Sequence, residues 1–206
     1  MNERQKMPDL TLRGIKIFQS YLSLDEQLML VDHARDVARD APMAYRATPY
    51  GKQMSVKMTA AGRVGWYADK KGYRYTSRQP DGRAWPMISE SILKIWSELC
   101  GSACLPDSCL VNFYGEGARM GMHQDKDEAQ LHWPVLSISL GDRALFRVGG
   151  IDRGGKTQSV WLNSGDVLVM GGDARLLYHG VDRIEFRSSS LLSQGGRINL
   201  TLRVAS

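Results

Sequence analysis

The stretch RINLTLR, residues 197–203, decides the fold class because polar and apolar residues alternate along its whole length. Side chains two apart in a strand share a face, so one face of this strand is apolar and the other is polar. Such a strand suits a barrel whose interior contains a charged ligand. Arginines on the inward face predict an acidic ligand, because guanidinium groups bind carboxylates in a bidentate manner. The inward-facing residues are Arg197, Asn199, Thr201 and Arg203.

Upstream of this strand lie three residues that could bind a metal ion, His123, Asp125 and His179. If the chain is extended here, His123 and Asp125 point the same way, and one histidine from elsewhere can complete the set. Two histidines and one carboxylate leave several positions on Fe(II) open, as non-haem iron oxygenases require. Each residue taken singly is more often an ordinary surface or core residue. Their order along the chain, ahead of an arginine-bearing strand, predicts an Fe(II) site.

Length and charge indicate one domain with a basic segment. The 206 residues carry a formal net charge of +5, and we expect a single domain over residues 1–206. Between Met43 and Arg83, nine basic residues accompany only two acidic ones. A concentrated basic segment favours a polyanion such as nucleic acid, although a solvated surface is the alternative.

The sequence also predicts where the protein works. The first residues contain no apolar leader, and no run reaches the length of a transmembrane helix. The three cysteines, an odd number without a C-x-x-C pair, favour reduced thiols. We therefore expect a cytoplasmic protein that has no membrane partner. The sequence leaves the oligomeric state open, and a monomer is the default expectation.

Local patterns predict an α+β fold that is mainly β. A capping box from Ser23 to Glu26 begins a helix to about Arg39, with Leu24, Leu28 and Val31 on its apolar side. A second helix runs from Pro86 to Cys100, and both helices would cover one sheet of a sandwich or jelly roll. Residues 43–83 form a lid over a core of residues 107–204. The core strands are Cys109–Tyr114, Val135–Leu140, Ala144–Val148, Ser159–Leu162, Val167–Met170, Leu176–His179 and Arg197–Val204.

Four core segments together resemble the AlkB family of Fe(II)- and 2-oxoglutarate-dependent dioxygenases. They are Cys109–Tyr114, Met122–Glu128, Arg175–Gly180 and Arg197–Arg203. The resemblance implies a double-stranded β-helix, which is a jelly roll, with two supporting helices and a nucleotide-recognition lid. It also implies oxidative dealkylation of bases such as 1-methyladenine and 3-methylcytosine in single- or double-stranded DNA, with RNA as an alternative substrate. O2 and 2-oxoglutarate would be consumed, and formaldehyde, succinate and CO2 released.

The resemblance assigns roles to the residues of the core. His123, Asp125 and His179 would bind the iron. Arg197 would pair with the distal carboxylate of 2-oxoglutarate, and Arg203 and Asn199 would lie nearer its chelating end. The remaining co-substrate contacts would be hydrogen bonds from Asn112 and Tyr114, which share one strand face.

The lid segments Thr48–Gly51, Met54–Met58, Gly65–Trp66 and Gly72–Tyr75 resemble the family's lid as well. Trp66 would stack on the damaged base, with His123 near the other face of that base. Asp127 would read the exocyclic amine and would attract 1-methyladenine and 3-methylcytosine, which are cationic near neutral pH. Further substrate contacts would come from Thr48, Met58, Tyr73, Tyr75 and Arg153.

Two residues depart from the family pattern. Met170 stands where bacterial members have a tryptophan, and Phe113 replaces a charged residue. Two other functions are compatible with the core motifs, hydroxylation of a protein or small molecule and binding of alkylated DNA without catalysis. The basic lid with Trp66 argues against the first, and the complete set of five iron and 2-oxoglutarate residues argues against the second.

Overall fold

The computed structural model describes residues 7–48 and 50–206. The first six residues, in which we expected no secretory leader, and Pro49 of the lid lie outside this described part. The described chain contains two α-helices, one short 3-10 helix and 14 strands. In chain order they are β1 (Leu10–Leu12), β2 (Ile15–Phe18), α1 (Leu24–Asp40), β3 (Ala44–Ala47), β4 (Gln53–Gly62), β5 (Gly65–Asp69), β6 (Gly72–Thr76), α2 (Glu90–Cys100), β7 (Ser108–Tyr114), β8 (Met120–His123), β9 (Val135–Gly141), β10 (Ala144–Val148), β11 (Gln158–Leu162), β12 (Val167–Met170), the 3-10 helix (Gly172–Ala174), β13 (His179–Ile184) and β14 (Arg197–Arg203).

Strand β14 lies inside an eight-stranded sheet with the order β1-β2-β12-β9-β14-β7-β4-β3. It pairs antiparallel with both neighbours, so that Asn199 lies opposite Ser139 of β9 and Asn112 of β7. Its apolar residues, such as Leu200, pack in one cluster with the buried side chains of both helices. Its polar residues line the cavity on the other face. The predicted alternation of β14 is therefore correct.

A four-stranded sheet with the order β11-β10-β13-β8 supplies the opposite wall of the cavity. Gly180 in β13 permits a close approach between β13 and β8, since a Cβ there would lie 2.6 Å from the carbonyl oxygen of Met120. A larger residue would push β8 away and displace His123 with it. The two antiparallel sheets with helices on one outer face agree with the predicted jelly roll.

The helices follow the sequence signals with two corrections. Ser23 caps α1 and forms the predicted reciprocal capping box with Glu26. However, Leu24 and Leu28 are exposed, because the buried side of α1 is made by Leu30, Val31, Ala34 and Val37. Helix α2 begins at Glu90 with Ser89 as its cap, so the predicted start at Pro86 was wrong. Within the described residues, neither helix is long and apolar enough to cross a membrane.

The segment predicted as a separate lid belongs in part to the large sheet. Strands β3 and β4 extend that sheet beyond β7, because β4 pairs with β7 from Lys57 to Gly62. Among the four strands of this segment, only β5 and β6 form a separate two-stranded sheet, which is a hairpin. Strands β1 and β2 at residues 10–18 were not predicted, yet β2 joins the same sheet by pairing with β12. The strand expected at Leu176–His179 instead begins at His179.

Candidate active site

A cavity lies between the two sheets. Its large-sheet wall is mostly polar and its small-sheet wall is mostly apolar. Every residue that the sequence nominated for iron or 2-oxoglutarate lines this cavity, together with Leu110, Met120, Ser137, Phe146, Leu162, Leu168 and Val181. The nominated residues are Asn112, Tyr114, His123, Asp125, His179, Arg197, Asn199 and Arg203.

His123 and His179 lie directly opposite each other on the neighbouring strands β8 and β13. Their ring centroids are 4.5 Å apart. The Nδ1 atom of His123 lies 2.9 Å from the carbonyl oxygen of Gly121, and that of His179 lies 3.0 Å from the carbonyl oxygen of Leu177. A ring that donates through Nδ1 keeps the lone pair of Nε2 for a metal. Backbone carbonyls thus fix both imidazoles in the ligating tautomer.

Asp125 completes the group from a loop. Strand β8 ends at His123, so the premise that both residues lie within one strand was wrong, although Asp125 still turns to the same side. Its carboxylate oxygens lie 3.6 Å from Nε2 of His123 and 3.8 Å from Nε2 of His179. One ligand atom from each of the three residues can be chosen within 4.8 Å of the others. This spacing fits one Fe(II) ion, whose preferred donors include imidazole and carboxylate.

The protonation states also fit a cation. Burial and the neighbouring His123 lower the pKa of His179 to about 4, so its imidazole is neutral near pH 7. Burial alone would raise the pKa of Asp125, but Arg203 and the two histidines outweigh it and lower that pKa. At neutral pH the group therefore offers the neutral imidazole of His179 and the carboxylate of Asp125.

Behind Asp125 lies a buried ionic network that sequence reasoning did not identify. Nη2 of Arg203 lies 2.8 Å from the Asp125 carboxylate, and Nε of Arg203 lies 3.1 Å from the Glu128 carboxylate. Arg175 pairs with the other oxygen of Glu128 at 3.0 Å. The Arg175 and Glu128 side chains are only 4% and 1% exposed. Both residues stood in the quoted motifs, but nothing in the sequence alone showed that they would meet.

Arg197, at the other end of β14, has a different environment. Its side chain is buried, and Nη2 donates to the hydroxyl of Ser139 at 2.8 Å. Among the described residues, its Nε and Nη1 atoms have no hydrogen-bond partner, and no carboxylate pairs with the guanidinium. Burial lowers its pKa to about 10. A buried cation with two unused donors fits the carboxylate of an acidic ligand.

The other polar residues near Arg197 are partly engaged. The amide nitrogen of Asn199 donates to Ser137 at 2.6 Å and to the Ile138 carbonyl at 3.1 Å. Asn112 is buried, and its side-chain oxygen has no partner in the described part of the chain. Tyr114 is also buried, which raises its pKa to about 12, so its hydroxyl stays protonated. Asn112 and Tyr114 therefore offer polar atoms to a ligand, whereas the Asn199 amide nitrogen is already used.

Trp66 and Asp127 contact each other although they are 61 positions apart in the chain. The indole Nε1 of Trp66 donates to a carboxylate oxygen of Asp127 at 2.9 Å. The ring of Tyr73 stacks on Trp66 with centroids 5.3 Å apart and planes inclined by 26°. Asp127 is exposed and makes no ion pair within the described residues. The lid hairpin thus presents two stacked aromatic rings beside an unpaired carboxylate.

The remaining lid residues do not all reach a surface that a substrate could touch. Tyr75 directs its hydroxyl inward and donates to Glu128 at 2.7 Å, so this hydroxyl is not available for the substrate contact expected of Tyr75. Met58 is only 2% exposed and packs in an apolar cluster, which corrects its assignment as a substrate contact. Thr48 lies in the turn before β4, where its hydroxyl accepts from the Lys52 amide at 3.2 Å. Arg153 is exposed on the loop between β10 and β11.

The two departures from the family pattern occupy opposite faces of the large sheet. Met170 is buried in an apolar cluster with Phe146 and also lines the cavity. It therefore adds an apolar patch, next to Phe146, to the mostly polar large-sheet wall of the cavity. Phe113 lies on the helix-facing side and packs against the main core, away from the cavity. Phe113, which stands in place of the family's charged residue, therefore does not line the cavity.

Three comparisons with known proteins agree with this geometry. The profile of the 2OG-Fe(II) oxygenase superfamily matches residues 14–203. The Alpha-ketoglutarate-dependent dioxygenase AlkB homolog of Caulobacter vibrioides is 51% identical over 199 residues, which are 96% of this chain and 90% of that protein. The DNA N(6)-methyladenine demethylase ALKBH1C of Arabidopsis thaliana is 33% identical over 221 residues, which cover 92% of this chain and 48% of that protein. The solved structure of OsALKBH1 matches with a TM-score of 0.82 and 31% identity over 94% of this chain and 98% of that one, which confirms the predicted fold.

Proposed function

Because the chain belongs to the AlkB family within the 2OG-Fe(II) oxygenase superfamily, we propose that it removes N-alkyl groups from bases of DNA. It is a dioxygenase that uses Fe(II), 2-oxoglutarate and O2, as the sequence predicted. The proposed substrates are bases such as 1-methyladenine and 3-methylcytosine. Their alkyl carbon would leave as formaldehyde, and 2-oxoglutarate would become succinate and CO2.

One observation carries the choice of substrate. The exposed carboxylate of Asp127 has a neutral partner, the indole of Trp66, and no cationic partner in the described chain. Bases methylated at N1 of adenine or N3 of cytosine are cationic near neutral pH, whereas the unmodified bases are neutral. An unpaired carboxylate beside aromatic rings suits a flat cation, because the rings stack on its face and the carboxylate favours its charge.

The residues of the cavity have distinct tasks in this proposal. His123, Asp125 and His179 bind the Fe(II), which, when present, supplies the oxidation of the N-alkyl carbon with O2. Arg197 binds the distal carboxylate of 2-oxoglutarate, and Asn112 and Tyr114 contact the same molecule. Arg203 forms an ion pair with Asp125 and so orients this iron ligand. The apolar side chains next to Met170 keep water from the reacting carbon.

The hairpin surface supports nucleic acid as the partner. Arg46 and Arg74 lie over the ring of Tyr67, with guanidinium carbons 4.4 and 5.3 Å from its centroid. Both arginines are half-buried on the face of the hairpin opposite Trp66, and Arg74 also pairs with Asp69 at 2.8 Å. This basic face would contact the phosphates that lie on either side of an extruded base. Arg153 and the Thr48 turn would contribute further contacts. Since phosphates and cationic bases occur in single strands, duplexes and RNA, we include all three as substrates.

The proposal extends to the organisation and location of the protein. We propose one domain over residues 1–206 with its core at 107–204, in which the β5–β6 hairpin supplies the mobile part of a lid within residues 43–83. A monomer suffices, because every proposed site residue comes from one chain. The cysteines Cys100, Cys104 and Cys109 are unpaired, which suits the reducing cytoplasm.

The test is turnover on defined oligonucleotides. The protein is loaded anaerobically with Fe(II), then given 2-oxoglutarate, O2 and an oligonucleotide with or without one 1-methyladenine. We expect formaldehyde and succinate in equal amounts, with release strongly stimulated by the methylated strand alone. Succinate release that ignores the methylated strand would favour a hydroxylase of protein or small molecules. Tight binding of the methylated strand with no succinate would indicate a silent binder.

A further inference from the structure

Glu128 is the most completely enclosed acidic residue of the site, and the proposed function gives it no task. One oxygen of its carboxylate accepts a hydrogen bond from the Tyr75 hydroxyl at 2.7 Å, and Nε of Arg203 lies 3.1 Å from the same oxygen. Nη2 of Arg175 lies 3.0 Å from the other oxygen. The side chain is 1% exposed. Glu128 therefore bridges two arginines and one tyrosine, each from a different part of the chain.

Both arginines that Glu128 bridges also touch Asp125. Nη2 of Arg203 lies 2.8 Å from the Asp125 carboxylate, and Nη1 of Arg175 donates to the Asp125 backbone carbonyl at 2.5 Å. Arg175 is fixed further by a bond from its Nε to the Trp133 carbonyl at 2.8 Å. The loop position of Asp125, beyond the end of β8, is consequently set by these side chains and not by strand pairing.

Charge balance gives Glu128 a second effect. If Arg203 had no other acidic partner, its full positive charge would lie beside the Asp125 carboxylate, which has to attract a metal cation. Two arginines and the two acids Asp125 and Glu128 make the buried group neutral. Without Glu128, Arg203 would have the Asp125 carboxylate as its only acidic partner and would compete with the metal for it. Buried charges interact strongly because little solvent screens them.

We propose that Glu128 is a positioning residue that fixes Asp125 as a metal ligand through Arg203 and Arg175, and that the Tyr75 hydroxyl links the lid hairpin to this arrangement. The inference rests on the ligand role proposed above for Asp125. Tyr75 belongs to β6, so a hairpin that moves away from the core would remove one donor from Glu128. Metal affinity would then depend on the position of the hairpin even without nucleic acid.

The experiment measures Co(II) binding, because Co(II) reports its coordination by visible absorption and needs neither 2-oxoglutarate nor DNA. Full-length Glu128→Gln, Tyr75→Phe and the double variant are titrated with Co(II), beside Tyr67→Phe and Glu185→Gln as controls. Tyr67 lies on the same hairpin, and Glu185 forms an exposed pair with Arg143. Outer-shell partners of metal ligands typically change affinity by about 10–100-fold. We expect at least a tenfold loss with an altered Co(II) spectrum in Glu128→Gln, and a roughly threefold loss in Tyr75→Phe.

The double variant and a ligand variant separate the possible explanations. If Tyr75 acts through Glu128, adding Tyr75→Phe to Glu128→Gln should cause no further loss, and the controls should match the unaltered protein. A lowered melting temperature with unchanged Co(II) affinity and spectrum in Glu128→Gln would overturn the proposal and make Glu128 a structural residue only. If Glu128→Gln does not fold, unchanged affinity in Tyr75→Phe overturns the link to the lid. Unchanged affinity in Asp125→Ala would instead refute the ligand assignment itself.

Discussion

The two ends of strand β14 carry the same residue type in opposite electrostatic states. Arg203 lies among carboxylates, and Asp125 and Glu128 raise its pKa although burial opposes them. Arg197, six positions away on the same buried face, has no carboxylate partner in the described chain, and burial lowers its pKa. One arginine completes a balanced group, while the other remains an unbalanced charge.

This difference indicates which end receives which ligand. A buried charge without a partner is costly to the free protein, so it is retained only where a ligand of opposite charge compensates it. Arg197 therefore marks the place of an acid. The balanced group at Arg203 leaves the Asp125 carboxylate ionised and oriented for a metal. At the mouth of the site, Asp127 also has no cationic partner in the described chain, but it is exposed and hydrated, so its charge should have a much smaller effect than that of Arg197.

The largest expected effect follows from removing the carboxylate of the balanced end. Asp125→Ala should abolish succinate formation and weaken Fe(II) binding by more than about 100-fold, since even outer-shell changes cost 10–100-fold. Fe(II) content after dialysis and succinate release provide the measurement. Asp182→Ala is the control, because Asp182 is an acid of β13 paired with arginines on the surface. Native iron content in Asp125→Ala would show that the ligand is another residue.

Stability measurements should separate the two arginines directly. Arg203→Met leaves Asp125 and Glu128 buried with less compensation, which should cost about 3–5 kcal/mol of unfolding free energy. Arg197→Met removes an uncompensated charge, so the ligand-free protein should be equally stable or more stable. Urea unfolding without metal or 2-oxoglutarate tests both variants. Equal destabilisation by both substitutions would contradict the contrast between the two ends of β14.

Binding of 2-oxoglutarate should depend on Arg197 far more than on its neutral neighbours. Arg197→Met should weaken 2-oxoglutarate binding by about 2–5 kcal/mol, because a buried charge pair is lost. Arg197→Lys should recover only part of the affinity, since an ammonium cannot reproduce the planar fork. Calorimetric titration with 2-oxoglutarate in the presence of Mn(II) gives the values. A small change in Arg197→Met would move the distal-carboxylate role to another residue.

The sequence predicted Arg197 and Arg203 together but could not tell them apart. The alternation of β14 placed both on the cavity face, and the capping box at Ser23 located the first helix, because these signals are local. The state of each arginine depends on distant partners, such as Glu128 for Arg203. Within Met122–Glu128 the acids form one polar run, and only tertiary contacts bury Glu128 and expose Asp127.

Other errors have the same physical origin. Leu24 and Leu28 fit a helical stripe, yet the docking of α1 buries Leu30 and Ala34 instead. Met58 looked like a lid residue, but β4 pairs with β7 and carries it into the core. In both cases the packing partner that selects the buried side lay elsewhere in the sequence.

Substitution of Trp66 at the mouth of the site should reduce repair of nucleic acid but should not change 2-oxoglutarate binding. Trp66→Ala should reduce repair of 1-methyladenine about ten- to hundredfold, because stacking on one base is worth about 1–3 kcal/mol. The affinity for 2-oxoglutarate should stay unchanged, since Trp66 does not line the cavity between the sheets. Repair rates on oligonucleotides and 2-oxoglutarate titrations check the two statements. Unchanged repair would mean that Trp66 and Tyr73 only pack the hairpin.

The smallest effect concerns the unbalanced acid at the mouth. Asp127→Asn keeps an oxygen for the Trp66 indole but removes the charge, so it isolates electrostatics from the 2.9 Å hydrogen bond. An exposed charge pair is worth at most about 1 kcal/mol, or roughly fivefold in rate. Repair of cationic 1-methyladenine should fall by that factor, while repair of neutral ethenoadenine should not change. The measurement is the ratio of the 1-methyladenine repair rate to the ethenoadenine repair rate at low salt. Added salt screens the Asp127 charge of the unaltered protein, so its ratio should fall toward the ratio measured for Asp127→Asn. Equal losses on both lesions would show that Asp127 acts only by orienting Trp66, and the charge argument would then hold for Arg197 alone.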